Sequence, residues 1–175
     1  KVLERACATG RLIERCAKPQ NVTAFEITEA SYRIAKLIYP KATIYNQYFE
    51  TAFIQPPKFR SRIISKQFTW LKDYPFDLVI GNPPYGKYVG FYSSYFGKPK
   101  MPQIEQFFIY YGLMLLKKGG LLVYIISQNF MRNGNSYRKV KDEIGKLADL
   151  IDAYRLPSVF PQSDVPTDII VLKRK

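Results

Sequence analysis

Phe76-Asp77-Leu78-Val79-Ile80-Gly81-Asn82-Pro83-Pro84-Tyr85 is the stretch from which the fold can be read. An apolar run bounded by turn residues reads as a buried strand. Two prolines cannot continue a hydrogen-bonded ladder, so the strand must end at Asn82 and enter a stiff loop. Working outward, the same punctuation recurs. Strands are predicted at Val2–Glu4, Val22–Glu26, Thr43–Tyr45, Asp77–Gly81, Leu121–Ile126, Leu150–Tyr154 and Asp168–Leu172. Helices are predicted at Arg11–Ala17, Thr28–Ile38, Gln103–Leu116 and Ser136–Leu147, the third closed by Lys117-Lys118-Gly119-Gly120 as a basic last turn and glycine stop. Strands alternating with helices predict an α/β, doubly wound, Rossmann-like sheet, with ligands at the carboxyl ends of its strands. The stretch before Asp168 is too short for a crossover helix, so the last strand is expected to be antiparallel in a mostly parallel sheet.

Composition sets the bounds. The chain has 175 residues, 47% hydrophobic and 23% charged, enough for one domain with a real core. No run approaches the ~20 apolar residues of a membrane span, and Lys1-Val2-Leu3-Glu4-Arg5 lacks a signal-peptide pattern. The first residue is Lys rather than Met, which reads as a piece of a longer chain. Net charge is +13, from 27 Lys and Arg against 14 Asp and Glu, and points to a polyanionic partner as well as to a solubilising surface. Between Gln55 and Pro102, eight basic residues stand against two acidic ones. Histidine is absent, which excludes a Ser-His-Asp triad, a Cys-His dyad and a His-liganded metal. Cys7 and Cys16 have neither metal-site spacing nor the number of a disulfide framework, and are expected to be reduced, buried thiols of a cytoplasmic protein. Catalysis by such a chain would rest on positioning and a reactive cosubstrate.

The loop after the quoted strand combines an amide, two prolines and an aromatic ring. That set suits a flat, poorly nucleophilic amino group such as N6 of adenine, whose lone pair is delocalised into its ring. The Asn82 side-chain oxygen and the Pro83 carbonyl can both accept its hydrogens, favouring a pyramidal nitrogen as reaction proceeds. Pro84 stiffens the loop. Tyr85 offers a stacking face worth roughly 1–3 kcal/mol to a base. A rigid turn with no chemistry is the other reading of these four residues.

Further along, Gly86–Pro102 interleaves Tyr88, Phe91, Tyr92, Tyr95 and Phe96 with three glycines and Lys87, Lys98 and Lys100. This fits base stacking with phosphate contact and equally a small aromatic core beneath the loop. At the other end, Glu4-Arg5-Ala6-Cys7-Ala8-Thr9-Gly10 follows the first strand, and small residues there let backbone approach a ligand. Glu26, at the end of the second strand, is placed to accept from ribose hydroxyls or to serve as a helix-start charge.

Taken together, these motifs resemble the S-adenosylmethionine-dependent N6-adenine DNA methyltransferases, in the γ-type order. Val2-Leu3-Glu4 with Thr9-Gly10 resembles the family's opening motif, and Phe76 through Gly86 its catalytic motif without departure. Leu115 through Val123 resembles the passage into the fifth strand; Val159-Phe160-Pro161-Gln162 and Val165 through Leu172 resemble a late motif. The resemblance covers residues 1–175 as one catalytic domain. It implies methyl transfer from S-adenosylmethionine, leaving S-adenosylhomocysteine, to adenine N6 in flipped-out DNA, with no metal, no membrane, and an association with restriction-modification. Asn82, Pro83, Pro84 and Tyr85 would be catalytic, with Tyr85 and Phe160 flanking the base. Glu4, Ala6, Ala8, Gly10, Glu26, Ile27, Phe49 and Asn82 would face the cofactor. Lys87, Tyr88, Lys98 and Lys100 would face nucleic acid. The family's upstream helix and target-recognition domain, or a recognition subunit, would lie outside this chain. RNA adenine or a release-factor glutamine is an alternative acceptor within the same motif, and a non-catalytic DNA-binding remnant is the alternative outside catalysis. Two departures bear on that remnant: Ala8 stands where the first glycine is usual, and Tyr48 where an Asp commonly meets the cofactor's adenine, and both are expected to weaken cofactor binding; Arg5 stands where proline is usual.

Overall fold

The structure, a computed structural model, describes residues 1–54, 69–90, 92, 95–96, 100–131, 135–157 and 165–175. Seven strands form one sheet: β1 Val2–Glu4, β2 Val22–Phe25, β3 Thr43–Tyr45, β4 Phe76–Gly81, β5 Leu116–Ser127, β6 Ala148–Arg155 and β7 Thr167–Arg174. Three α-helices accompany them: α1 Glu29–Ile38, α2 Ile104–Leu115 and α3 Asn135–Leu147. The strand order is β3-β2-β1-β4-β5-β7-β6. All pairs from β3 to β5 are parallel, while β7 runs antiparallel to both β5 and β6. The expected doubly wound sheet with an antiparallel last strand is what forms, because β7 follows β6 too closely for a crossover.

The chain leaves β1 toward β2 and β3, then returns to pair β4 on the other side of β1. Ligands of open α/β sheets bind at such a reversal, because the loops diverge there and leave a crevice. In register, Glu4 pairs with Ile80, so the loops after β1 and β4 begin side by side.

Alternation of side chains divides the core between the two faces. Leu3, Phe25, Val79, Leu122, Tyr124, Ile126, Ile170 and Leu172 join Phe107, Phe108, Leu113 and Leu115 of α2 and Val140 and Ile144 of α3 in the larger cluster. Val22, Ala24 and Ile44 meet Ile13 and Ala35 in a smaller one. α2 starts with a capping box in which Gln103 and Gln106 serve each other's backbone N–H groups.

Two local expectations are corrected. Arg11–Ala17 is not an α-helix; only Ile13–Arg15 forms a 3-10 turn. Pro19 forces Lys18 out of the helical region, at φ −134° and ψ 86°, and too few residues remain to offset helix nucleation. Lys117–Gly120 does not cap the third helix either. Buried Leu116 pairs with Phe76, and the register then jumps to Leu78 opposite Leu121. The Lys-Lys-Gly-Gly excursion is therefore an irregularity inside β5, and Gly119 takes φ +76° within it. Both cysteines are free, but only Cys7 is buried; Cys16 is half-exposed. Among the described residues, no helix is long and apolar enough to cross a membrane.

Candidate active site

The loop leaving β1 must turn sharply to stay beside β2. Gly10 takes φ +88° and Ala8 takes φ +47°, the only left-handed non-glycine residue described. A side chain at Gly10 would also lie 2.6 Å from the Tyr39 ring, so both conformation and space demand glycine there. Ala8 pays about 1–2 kcal/mol for a geometry that glycine adopts freely. Something must hold it.

Glu26 does. Its Oε2 accepts from the Ala8 N–H at 2.8 Å and its Oε1 from the Thr28 N–H at 2.7 Å. One carboxylate thus ties the loop after β1 to the loop after β2, while retaining lone pairs for further donors. The third loop is tied by Asn46, whose side-chain amide donates to the carbonyls of Glu26 at 2.9 Å and Ile27 at 3.2 Å. Sequence reasoning passed over Asn46; an Asn directly after a strand, able to bridge local backbone, was the available signal.

These loops enclose a cavity of about 140 Å³, lined by Arg5, Ala6, Glu26, Ile27, Tyr48, Phe49, Pro84 and Phe108 among others. Of the expected cofactor residues, Ala6, Glu26, Ile27 and Phe49 line it directly. Glu4, Ala8, Gly10 and Asn82 are not among its lining residues. The enclosed volume is below the ~300 Å³ at the lower end for drug-sized ligands, so only part of such a ligand is enclosed in this conformation. Tyr48 stands on the rim, 41% exposed, its ring 6.0 Å from that of Tyr92.

Glu4 ends β1 nearly buried, and its Oε2 has no hydrogen-bond partner among the described residues. Burial first, and then the neighbouring Glu26 charge, push its carboxyl up to about 8. An acid raised in the folded state binds more protons there, so its contribution to stability is complete below pH 4.5 and is lost as pH rises toward 8. Glu4→Gln is expected to flatten the fall in melting temperature between pH 5 and pH 8. Scanning calorimetry of both proteins checks this, and parallel pH slopes would contradict it.

The loop carrying Asn82-Pro83-Pro84-Tyr85 follows β4 at the other lip. Pro83 is buried, Asn82 and Pro84 are exposed, and Tyr85 is half-buried. Pro84 belongs to the cavity wall, so this loop and the loop after β1 share one cavity. The Tyr85 hydroxyl donates to Asn82 Oδ1 at 2.6 Å and lies 3.4 Å from the Ile125 carbonyl. Burial, helped by Glu105, raises the Tyr85 phenol to about 12, so it remains a donor. The base of the following loop is pinned: the Tyr88 N–H donates to the Pro102 carbonyl at 3.0 Å and the Ile104 N–H to the Gly86 carbonyl at 2.9 Å.

The aromatic loop resolves in favour of packing for two of its rings. Tyr88 stacks on Phe107 with centroids 4.7 Å apart and planes 16° apart, and its hydroxyl faces Glu50. Of Tyr88, expected to face nucleic acid, one ring face is thus already taken by Phe107. Phe96 packs against Phe53, Phe107 and Tyr111. Lys87 and Lys100 are exposed, while Lys98 and Phe160 lie outside the described residues. No group of three or more His, Cys, Asp and Glu side chains among the described residues is arranged to hold a metal ion.

Comparison with known proteins agrees with this layout. The family model described as Eco57I restriction-modification methylase matches residues 20–160. Over 99% of its length the chain is 25% identical to the defense against restriction protein B of Escherichia phage P1, of which it spans 7%. It superposes with a TM-score of 0.75 and 17% identity on a modification subunit assigned to a type I restriction enzyme of Vibrio vulnificus, spanning 40% of that chain. A methyltransferase subunit of a type I restriction-modification system from Streptococcus thermophilus gives 0.72 and 21%, with 39% spanned. Both alignments cover 99% of this chain, and at these identities they establish the fold. The chain spans less than half of each of these relatives.

Proposed function

Because the chain belongs to the Eco57I restriction-modification methylase family, we propose that it carries the methyl-transfer site of a DNA methyltransferase acting on N6 of adenine. The observation that carries this reading is the juxtaposition at the sheet's reversal. Asn82-Pro83-Pro84-Tyr85 leaves β4 beside the loop leaving β1, in register through Glu4 and Ile80, and Pro84 is shared with the cavity that Glu26 lines.

The residues present suit S-adenosylmethionine. Glu26 offers carboxylate lone pairs to ribose hydroxyls; Ile27 and Phe49 offer apolar walls to a purine; Ala6, Ala8 and Gly10 keep the loop small. When bound, this cosubstrate supplies an electrophilic methyl on a sulfonium and is left as S-adenosylhomocysteine. Asn82 Oδ1 and the Pro83 carbonyl accept the two N6 hydrogens, drawing the lone pair out of conjugation. The Tyr85 hydroxyl fixes which way the Asn82 amide faces, so that its oxygen meets the amino group with the remaining lone pair. Tyr85 then supplies a ring face to a base swung out of the duplex, and Phe160 is proposed as the opposite face. With no histidine in the chain, the proton lost from N6 passes to solvent.

A net charge of +13 and the exposed Lys87 and Lys100 suit a phosphate backbone. Choice of DNA sequence is assigned to a recognition domain or subunit beyond this chain, in keeping with the greater length of its relatives. The test offers labelled S-adenosylmethionine with duplex DNA, RNA and a release factor in parallel. Label recovered as N6-methyladenine from DNA is the expected result. Label in RNA or in a glutamine amide alone would overturn the acceptor. Salt-sensitive binding of DNA with no measurable binding of the donor would favour the non-catalytic remnant, to which the Ala8 and Tyr48 departures point.

A further inference from the structure

Glu105 is the second residue of α2 and is 2% exposed. An acid in the first turn of a helix ordinarily stands in water, where the helix dipole favours it. This one is enclosed, and its Oε2 has no hydrogen-bond partner among the described residues. Burial pushes its carboxyl up, opposed by the N–H groups of Glu105 itself and of Gly86, which face it. The phenols of Tyr85 and, at the start of α3, Tyr137 also feel its charge. A buried carboxyl with an unpaired oxygen is unfavourable. An apolar side chain would fill the position more easily.

Gly86 is the residue that this carboxyl meets. It directly follows Tyr85 and takes φ +116°, a conformation that side chains disfavour. Yet a side chain there would find nothing within 4 Å. The glycine is needed for conformation and not for space, so packing on that side does not restrain the turn. Hydrogen bonding from α2 does. The Ile104 N–H donates to the Gly86 carbonyl at 2.9 Å, and the Gly86 N–H faces the Glu105 carboxyl. Both polar groups of Gly86 are therefore tied to consecutive residues of one helix end. Just beyond, Lys87 bridges Gln103 in antiparallel fashion.

We propose that Glu105 is a positioning residue: from the first turn of α2 it holds the Gly86 turn, and so sets where Asn82 and Tyr85 stand against the target base. The assignment rests on the methyl-transfer reading above. Asn82 Oδ1 and the Tyr85 hydroxyl are joined at 2.6 Å, and two prolines stiffen the segment between them. A stiff segment is aimed by its ends. One end, Gly81, is fixed opposite Tyr124 in the ladder of β4 with β5. The other is Gly86, fixed by Ile104 and Glu105. A displacement of about 1 Å at a reacting group can slow a reaction on the order of 10²-fold, so a residue that touches no substrate can still govern the rate. Neither Gly86 nor Glu105 lines the donor cavity. The effect should fall on transfer and spare donor binding.

The test measures single-turnover methyl transfer to duplex DNA, donor affinity and melting temperature. It compares the unaltered protein with Glu105→Leu, Glu105→Gln, Gly86→Ala and the Gly86→Ala, Glu105→Leu double variant. Glu105→Leu is expected to slow transfer by on the order of 10²-fold, with donor affinity changed by no more than a few fold. It should melt no lower than the unaltered protein, because an apolar group replaces a buried, half-paired carboxyl. Glu105→Gln keeps an acceptor oxygen and should recover much of the rate. Gly86→Ala should also be slow, and the double variant should be close to the slower single one, whereas independent effects would multiply. Full-rate transfer by Glu105→Leu overturns the assignment. So does a loss of rate that Glu105→Gln does not recover and that a lower melting temperature accompanies, which marks a merely structural role. If the unaltered protein transfers no methyl, the methyl-transfer reading fails by itself. Hydrogen exchange at the Gly86 amide then decides the clamp: faster exchange in Glu105→Leu supports it, and equal exchange overturns it.

Discussion

Asn82→Ala is expected to slow methyl transfer by on the order of 10³-fold while changing donor affinity only a few fold. The alanine removes the side-chain oxygen that would accept an N6 hydrogen. It also frees the Tyr85 hydroxyl, which loses its 2.6 Å bond to Asn82 and keeps, among the described residues, the Ile125 carbonyl at 3.4 Å. Because that oxygen matters most as the nitrogen becomes pyramidal, the loss falls on the chemical step. The contacts proposed for the donor lie with Glu26, Ile27 and Phe49 of the cavity wall, which the substitution leaves in place. Asn82→Asp keeps an acceptor and should recover part of the rate. Single-turnover transfer of labelled methyl, with calorimetry on the same samples, separates the two quantities. Near-normal transfer by Asn82→Ala would sink the mechanism.

Glu26→Ala carries the second large effect, and it has two parts. Donor affinity should fall by at least about 100-fold, since a charge-assisted pair of ribose contacts is lost. The ligand-free protein should also lose about 2–4 kcal/mol, because the Ala8 and Thr28 N–H groups are left without their acceptor. For a chain of this size that corresponds to several degrees in Tm. Ala8 makes the loss larger: its φ of +47° has a steric cost that the bond to Glu26 offsets. Glu26→Gln keeps one acceptor oxygen and should fall between the two in both respects. Unfolding curves and donor titrations on the three proteins decide the matter. A Glu26→Ala protein with unchanged Tm would show that the two backbone bonds contribute nothing measurable.

Much of this site could be read from the sequence. The apolar run to Gly81 and the prolines after it placed a strand end and a stiff loop; Glu26 after Val22-Thr23-Ala24-Phe25 placed an acid at the next one. These are local facts. Alternation and chain-breaking residues act over a few neighbours, and they survive whatever the rest of the chain does. The same locality misled at Arg11–Ala17, where helical spacing was present but Pro19 left no room for a second turn. It misled again at Lys117–Gly120, where a glycine stop was overridden by Leu116 joining the ladder opposite Phe76.

Tyr88 and Arg5 mark the boundary most sharply. In sequence Tyr88 is one aromatic among lysines, equally suited to a base or to a core, and only α2 carrying Phe107 beneath it decides for packing. Arg5 read as a mere departure from proline. Its burial depends on Phe49, Phe108, Gly112 and Tyr124, brought to it from far along the chain. The sequence by itself determined the strand ends, the chemistry they carry and the family to which they point. Only the tertiary structure decided that β4 returns beside β1, and which side chains are thereby buried or tied. Strand pairing and burial come from contacts between residues distant in sequence, and no local pattern records their partners.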